Sequence, residues 1–384
     1  MKNLKKITAA LIAVAMLAVC SGCGGDQSWS YKTDTVSLSA GTYIYNLLNA
    51  YYEAYDLVES PDEASDILSV NVTDSDNETK TVDQYAYDAA DATTKRMIAV
   101  EQLFKDYGLE LEQTEYDAAL SYSSQLWANI KDQFEAYGIS QESFNYCYAE
   151  YTVKYGQVFE YLYSEDGEQY VSDDELTKYF KDKYTGYAYF SLSMATTDDE
   201  GNSVAKSDEE FADAESNFNS YVESINKDGK SYKDVVTQYT KDYELTTDPT
   251  YSGSVDLNDC TLDENITAAL KELGEGEAKV VKTGEDATTL YYLVYKPVTD
   301  TIIDFLDDDS DTDTDTSSDT AATEDTATGN VFIYDLKSGY THYTLLNEMK
   351  GDEFTEYLND FAAGLAISKN ETVTNKFKPK MFVE

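Results

Sequence analysis

Apolar residues recur at helical spacing through nearly all of residues 40–185, lose that spacing at Gly186, and regain it after residue 340. A chain patterned this way has apolar helical stripes to bury at both ends and a different kind of structure between them. In 40–58, Ile44, Leu47, Leu48, Tyr51, Tyr55 and Val58 share one face, and Pro61 lies beyond the end. Residues 65–80 are polar and read as turns. Two longer helical patterns cover 82–107 and 114–137. Each closes on Tyr-Gly followed by an apolar residue, Gly108-Leu109 and Gly138-Ile139, the order that a left-handed helix end favours. Ser140 is placed to cap a third helix to about residue 163. Ser172 with Glu175 forms a capping box for a fourth.

Past Gly186 the run 187–194, YAYFSLSM, is aromatic and partly alternating, which predicts a strand. Ser207 and Glu210 open a helix with Phe211, Ala214, Phe218, Tyr221 and Ile225 on one side. A shorter one carries Tyr232, Val235, Val236 and Tyr239. Residues 242–260 read as turns. A helix near 262–273 and strands at 279–282 and 289–296 complete an α+β unit. Residues 304–330 are low in complexity and strongly acidic, the composition of a solvated, disordered insertion. Asp309, Asp311 and Asp313 alternate as in a calcium loop, but such a loop needs Gly sixth and Glu twelfth, where this chain has Thr314 and Thr320. Helical spacing returns with Leu345, Leu346, Met349, Phe354, Tyr357, Leu358, Phe361 and Leu365. That face has no partner nearby in sequence, so it is expected to pack back on the first helices.

Charge removes several function classes. Against 28 Lys and Arg stand 74 Asp and Glu, 28 − 74 = −46, which excludes a nucleic-acid binder because phosphate affinity needs clustered cations. Arg96 is the single arginine and so the single candidate for a guanidinium clamp. His342 is the single histidine and is read as structural; mechanisms needing two imidazoles, and His-rich zinc sites, are excluded. No phosphate-binding loop, nucleophile elbow or zinc-protease motif is present, and no cofactor or metal is expected. The 35 tyrosines fit either amphipathic contact surface or helix cores.

At the start, Lys2, Lys5 and Lys6 precede an apolar run, 7–19, too short to span a membrane comfortably. Gly22-Cys23 follows. This resembles a bacterial lipoprotein signal, with Gly22 supplying the small residue before a lipidated Cys23; Cys20 stands where an aliphatic residue is usual. The resemblance implies a diacylated Cys23 on the outer face of a Gram-positive-type cytoplasmic membrane. Cys147 and Cys260 are then the remaining thiols, expected to be unpaired, although the compartment permits a disulfide.

The layout of a helical module, an inserted α/β domain and a returning helix is similar to that of extracytoplasmic foldases of the PrsA and SurA type, in which a parvulin-type peptidyl-prolyl isomerase domain is inserted in a helical chaperone module. Three stretches carry the resemblance. Residues 171–184 are similar to the helix that precedes the parvulin domain. Tyr239-Thr240-Lys241-Asp242 is similar to the family's Tyr-Ser-x-Asp. Residues 265–277, with Leu273 and Gly276-Glu277, are similar to the helix ending in Leu-x-x-Gly-Glu, and 289–295 to the final strand. The resemblance implies an α+β fold: signal peptide 1–22, tether 23–39, helical chaperone module 40–185, parvulin-like domain 186–300, acidic insertion 304–330, and a C-terminal helical segment 331–384 on the first module. Parvulin sites pair a His on the first strand with one on the last, and a Cys or Asp between. Here those positions fall on Phe190, Tyr291 and Asp242, and the glycine-rich turn is reduced to Gly253. The paired imidazoles are absent, which implies a degenerate, weak or inactive isomerase. Activity stays open, because a Tyr hydroxyl can replace a His as donor. The implied function is a membrane-anchored chaperone for unfolded secreted polypeptides, with room for a homodimer. The alternatives are an active prolyl isomerase, and a solute-binding or scaffold surface lipoprotein.

Overall fold

The computed structural model describes residues 28–61, 66–74, 77–304, 334–336 and 339–383. The expected leader, the lipidated Cys23 and the acidic insertion from residue 305 lie outside these. The chain divides into two compact units: Met1–Tyr170 with Gly351–Glu384, and Val171–Lys350. The architecture is α+β.

The first unit opens with strands β1 (Trp29–Lys32) and β2 (Ser37–Ser39). The expectation of a tether through residue 39 is therefore corrected from residue 28 on. Tyr31 and Ser30 are fully buried, and the Ser30 hydroxyl donates to the carbonyls of Leu38 and Ser39. Strands this short carry too few alternating positions to register as periodic, and the other edge of β1 is paired by residues 368–369, distant in sequence. Helix α1 (Ala40–Asp56) starts at Ser39, whose hydroxyl accepts from the Thr42 amide at 3.0 Å. A hairpin, β3 (Asn71–Thr73) and β4 (Thr79–Thr81), occupies the stretch read as turns; only Val72 of its side chains is buried, so its sequence looks like a loop.

Helices α2 (Val82–Asp106) and α3 (Gln113–Tyr137) end as the Tyr-Gly-apolar pattern predicts. Gly108 has φ 70° and Gly138 φ 92°, and the amides of Leu109 and Ile139 reach back to Phe104 and Phe134. Helix α4 (Gln141–Asn145) runs through a π turn at Tyr146–Glu150 into α5 (Tyr151–Tyr163). Phe144 sits at the centre of an aromatic cluster, 5.5 Å from Trp127 and 5.6 Å from Phe134. Cys147 is buried, which pushes its thiol up to about 12, and Cys260 belongs to the second unit; both are free.

The second unit begins at Val171 rather than Gly186. Its first helix, α6 (Asp173–Lys183), has the expected Ser172–Glu175 capping box, and it buries Leu176 and Phe180. Phe180 meets Tyr334, and Lys183 pairs with Glu348 at 2.9 Å, which ties α6 to this unit instead of the helices before it. Strand β5 (Thr185–Ser193) leads to a small hairpin, β6 (Ala195–Thr197) and β7 (Ser203–Ala205). Then come α7 (Asp208–Asn226), α8 (Tyr232–Asp242), β8 (Tyr251–Val255), α9 (Glu264–Glu272), β9 (Glu277–Thr283) and β10 (Leu290–Lys296). The four-stranded antiparallel sheet has the order β8-β5-β10-β9. Short strands β11 (Ile303–Asp304) and β12 (Tyr334–Asp335) pair in parallel.

Helix α10 (Gly339–Gly364) buries Leu345 and Leu346 in the second unit, so the expected C-terminal segment divides near residue 350. From Gly351 on it belongs to the first. Phe354 packs edge-on against Tyr155 and Phe159 at 5.0 and 5.1 Å. Strand β13 (Ser368–Lys369) then joins β1 to complete a sheet of order β13-β1-β2. A last short helix, α11 (Glu371–Thr374), leads to Phe382, which is buried against Tyr51 and Tyr137. Among the described residues no helix is long and apolar enough to cross a membrane.

Where β1 and β13 pair, Asp91 accepts hydrogen bonds from Tyr31, Lys369 and Lys95. Burial acts to raise its pKa, but those donors outweigh burial and hold it below the usual carboxylate range. A carboxyl depressed in the folded state adds stability above its unfolded pKa of about 3.9, and that stability is lost as pH falls through the folded pKa. Asp91→Asn should therefore be less stable than the parent at pH 7, by about 1 kcal/mol for a half-exposed pair. The two stability curves should converge towards pH 2, as followed by urea denaturation.

Candidate functional site

The two faces of the main sheet differ in what covers them. Alternation along β5 sends Ala188 and Phe190 to one side and Tyr187 and Tyr189 to the other. On the first side, α7 and α8 lay down Phe218, Tyr221, Val235 and Tyr239. Phe190 stacks on Tyr239 at 4.3 Å and meets Phe218 edge-on at 5.6 Å; Phe218 in turn lies 5.8 Å from Tyr291. Phe190 and Tyr291 are thus brought together, but inside a packed core, with 0 % and 1 % of their surface exposed. The two positions that the resemblance assigns to a site are core positions in this fold. The cause is register: both sit on the face that the two longer helices cover.

Asp242 is exposed at the end of α8, and the Tyr221 hydroxyl ties it to that core. The Tyr221 hydroxyl donates to its Oδ2 at 2.7 Å, and Gln238 donates to Oδ1 at 2.6 Å. Burial, then the neighbouring Asp242 carboxylate, push the Tyr221 hydroxyl far above its ordinary pKa, so it stays a neutral donor. Neither imidazole nor any other group that titrates near neutrality enters this arrangement. Arg96 donates to Thr93 and Asn359, both neutral, and His342 donates from Nδ1 to the Leu336 carbonyl at 2.6 Å, the structural role expected of it.

The Tyr291 hydroxyl is buried and has no hydrogen-bond partner among the described residues. A buried orphan polar atom costs stability. Tyr291→Phe is accordingly expected to leave stability unchanged or raise it by about 1 kcal/mol. Guanidinium denaturation checks this, and a clear loss of stability would reveal a role for the hydroxyl.

The other side of the sheet is where aromatic surface becomes accessible. Helix α9 covers part of it with Ile266, Leu270 and Leu273. Beyond α9, Tyr189 stacks on Tyr251 at 5.3 Å with 15° between the rings, and on Tyr187 at 6.1 Å; Tyr292 meets Tyr189 edge-on at 6.0 Å. Tyr251 is 61 % exposed. Gly253 is not in a turn, as the sequence suggested, but in β8 directly opposite Tyr187. A Cβ there would stand 2.9 Å from the Tyr187 hydroxyl oxygen, so only glycine lets that ring lie across the strand. Burial raises the Tyr189 and Tyr292 hydroxyls, and the Asp263 carboxylate nearby adds to both shifts.

Sequence reasoning missed Tyr187, Tyr189, Tyr251 and Tyr292. The alternation in YAYFS was visible and held two aromatic faces, yet nothing in it said which face the helices would bury. β8 was hidden by its composition, YSGSV, within a run rich in turn residues.

No family model matches this chain, and no curated protein matches it. Among solved structures, the foldase protein PrsA from Streptococcus pneumoniae str. Canada MDR_19A is similar at 12% identity and a TM-score of 0.31, over 82% of this chain and 100% of that one. The foldase protein PrsA from Lactococcus lactis is similar at 11% identity and a TM-score of 0.31, over 91% of this chain and 99% of that one.

Proposed function

We propose that this chain is an extracytoplasmic chaperone, held at the membrane through a lipidated Cys23, that binds unfolded segments of secreted polypeptides. Its isomerase-like unit is weak or inactive as a catalyst. The observation that carries this reading is the stacked tyrosine face of β5, β8 and β10, with Tyr251 open to solvent. Tyrosine offers large, rigid contact area with a polar tip, which suits sequence-tolerant capture of extended chains.

The isomerase part of the reading rests on chemistry. Catalysis of prolyl rotation needs a shaped groove and polar groups aimed at the twisted amide. The positions matched to the family's imidazoles hold a phenylalanine and a tyrosine, both buried. In a protease-coupled prolyl-peptide assay, residues 24–384 should accelerate isomerisation little or not at all. In the same preparation they should suppress light scattering by an aggregating reduced client. Strong acceleration would overturn the first half of the proposal, and unchanged scattering the second. For the anchor, Cys23→Ser should move the protein from the membrane fraction to the medium.

A further inference from the structure

We propose that an extended polypeptide segment adds to the free edge of β9 as a fifth strand, hydrogen-bonding to the main chain of Val280 and Lys282. This rests on the reading of the chain as polypeptide-binding, and it names how a client without a fixed sequence is held.

The sheet has the order β8-β5-β10-β9, so β9 has a strand on one side only. In an antiparallel pair, successive residues turn their N–H and C=O alternately towards the neighbouring strand and away from it. Ala278 fixes the phase. Its amide donates to Asn226 Oδ1 at 2.8 Å and its carbonyl accepts from Asn226 Nδ2 at 2.8 Å, both away from β10. Val280 and Lys282 therefore turn two further pairs of N–H and C=O outward. Among the described residues no other strand, turn or side chain bonds to them.

Asn226, the last residue of α7, shows what kind of group fits this edge. Its carboxamide makes with Ala278 the two bonds that a residue of a neighbouring strand would make. The group that matches the next two positions is accordingly another peptide main chain. Recognition through N–H and C=O reads no side chain, which suits partners of varied sequence.

The edge is also open. Edge strands are commonly protected by lysines that project from them. The two lysines within β9 that could do so are turned onto the faces of the sheet instead. Lys279 pairs with Glu272 of α9, and Lys282 lies over the rings of Phe211 and Tyr291 at 5.7 and 5.4 Å. Asn226 guards only the Ala278 end of the strand, and Lys282 is exposed.

The probe is a short fluorescein-labelled peptide of alternating threonine and valine, its binding to residues 24–384 read by anisotropy. A copy methylated at two adjacent central amide nitrogens has lost a donor on each edge and should bind about tenfold more weakly. Lys282→Pro removes an outward N–H without touching a ladder bond, and should weaken the unmethylated peptide about five- to tenfold; Lys282→Thr should not. The bound peptide should also slow hydrogen exchange at the Val280 and Lys282 amides. The two peptides are compared on the unaltered protein, so that arm does not depend on how the proline variant folds. Equal affinity for the two peptides, or undiminished binding to Lys282→Pro, would overturn the proposal. Self-association that Lys282→Pro abolishes, with no peptide bound, would overturn it in favour of a second copy of this chain. If the peptides bind equally while client aggregation is still suppressed, this inference alone falls. If neither peptide binds and aggregation is not suppressed, the chaperone reading falls with it.

Discussion

Phe190→Ala should destabilise the second unit by about 3–5 kcal/mol, the cost of truncating a fully buried phenylalanine. The ring is in contact with Tyr239, Phe218, Tyr221 and Tyr232, which come from both covering helices, and it has no exposed surface. Its removal therefore takes away contacts that hold α7 and α8 to β5 and leaves a cavity that rigid aromatic neighbours cannot fill. The same residue occupies a position that family resemblance assigns to a functional imidazole, so the experiment separates two roles. A structural Phe190 predicts a lower denaturation midpoint for the second unit, with peptide binding intact at temperatures where the variant is folded. A variant of parent stability that lost client binding would put Phe190 back in a site.

Removing residues 365–384 should have a still larger effect, confined to the first unit. The amide of Asn370 donates to the Ser30 carbonyl at 2.8 Å, and its side chain donates to the Trp29 carbonyl at 2.9 Å. Strand β13 covers the free edge of β1, and Phe382 fills a site between Tyr51 and Tyr137. Loss of the Phe382 ring alone is worth about 3–5 kcal/mol, and each buried carbonyl left without a donor adds about 1–3 kcal/mol. The total is comparable to the whole stability of an ordinary domain, about 5–15 kcal/mol. Hydrogen exchange followed by mass spectrometry should show protection lost across α1 and α2, with the amides of β5 and β10 still protected. Retained protection in α1 would mean that the C-terminal strand is an accessory to the fold.

Long helices were legible because their signals are local. Ser140, Ser172 and Ser207 cap where a Ser before an apolar run says they should, and Gly108 and Gly138 take the left-handed conformation that ends a helix. Elements that depend on distant partners were not legible. β1 and β2 pair with each other but are only three or four residues long, too short to show alternation, and the strand that completes their sheet along β1 starts more than 300 residues later, outside any local window. β8 is extended because Gly253 must lie under the Tyr187 ring, a cross-strand requirement invisible in YSGSV. The candidate site was half legible for the same reason. Strands β5 and β10 were found and β8 was not, and the tyrosines were counted, but the register that sends Tyr189 outward and Phe190 inward is settled by which helices dock on which face.

The central claim is that this molecule handles unfolded chains without catalysing prolyl rotation. It is tested most directly by refolding a reduced, proline-limited secreted protein in the presence of residues 24–384. Aggregation and the slow refolding phase are followed in the same sample. The account predicts that near-stoichiometric amounts suppress aggregation, while the time constant of the slow phase remains that of the uncatalysed reaction, on the order of tens to hundreds of seconds. Acceleration of the slow phase at substoichiometric amounts, or aggregation that proceeds unchanged at every ratio, would contradict it.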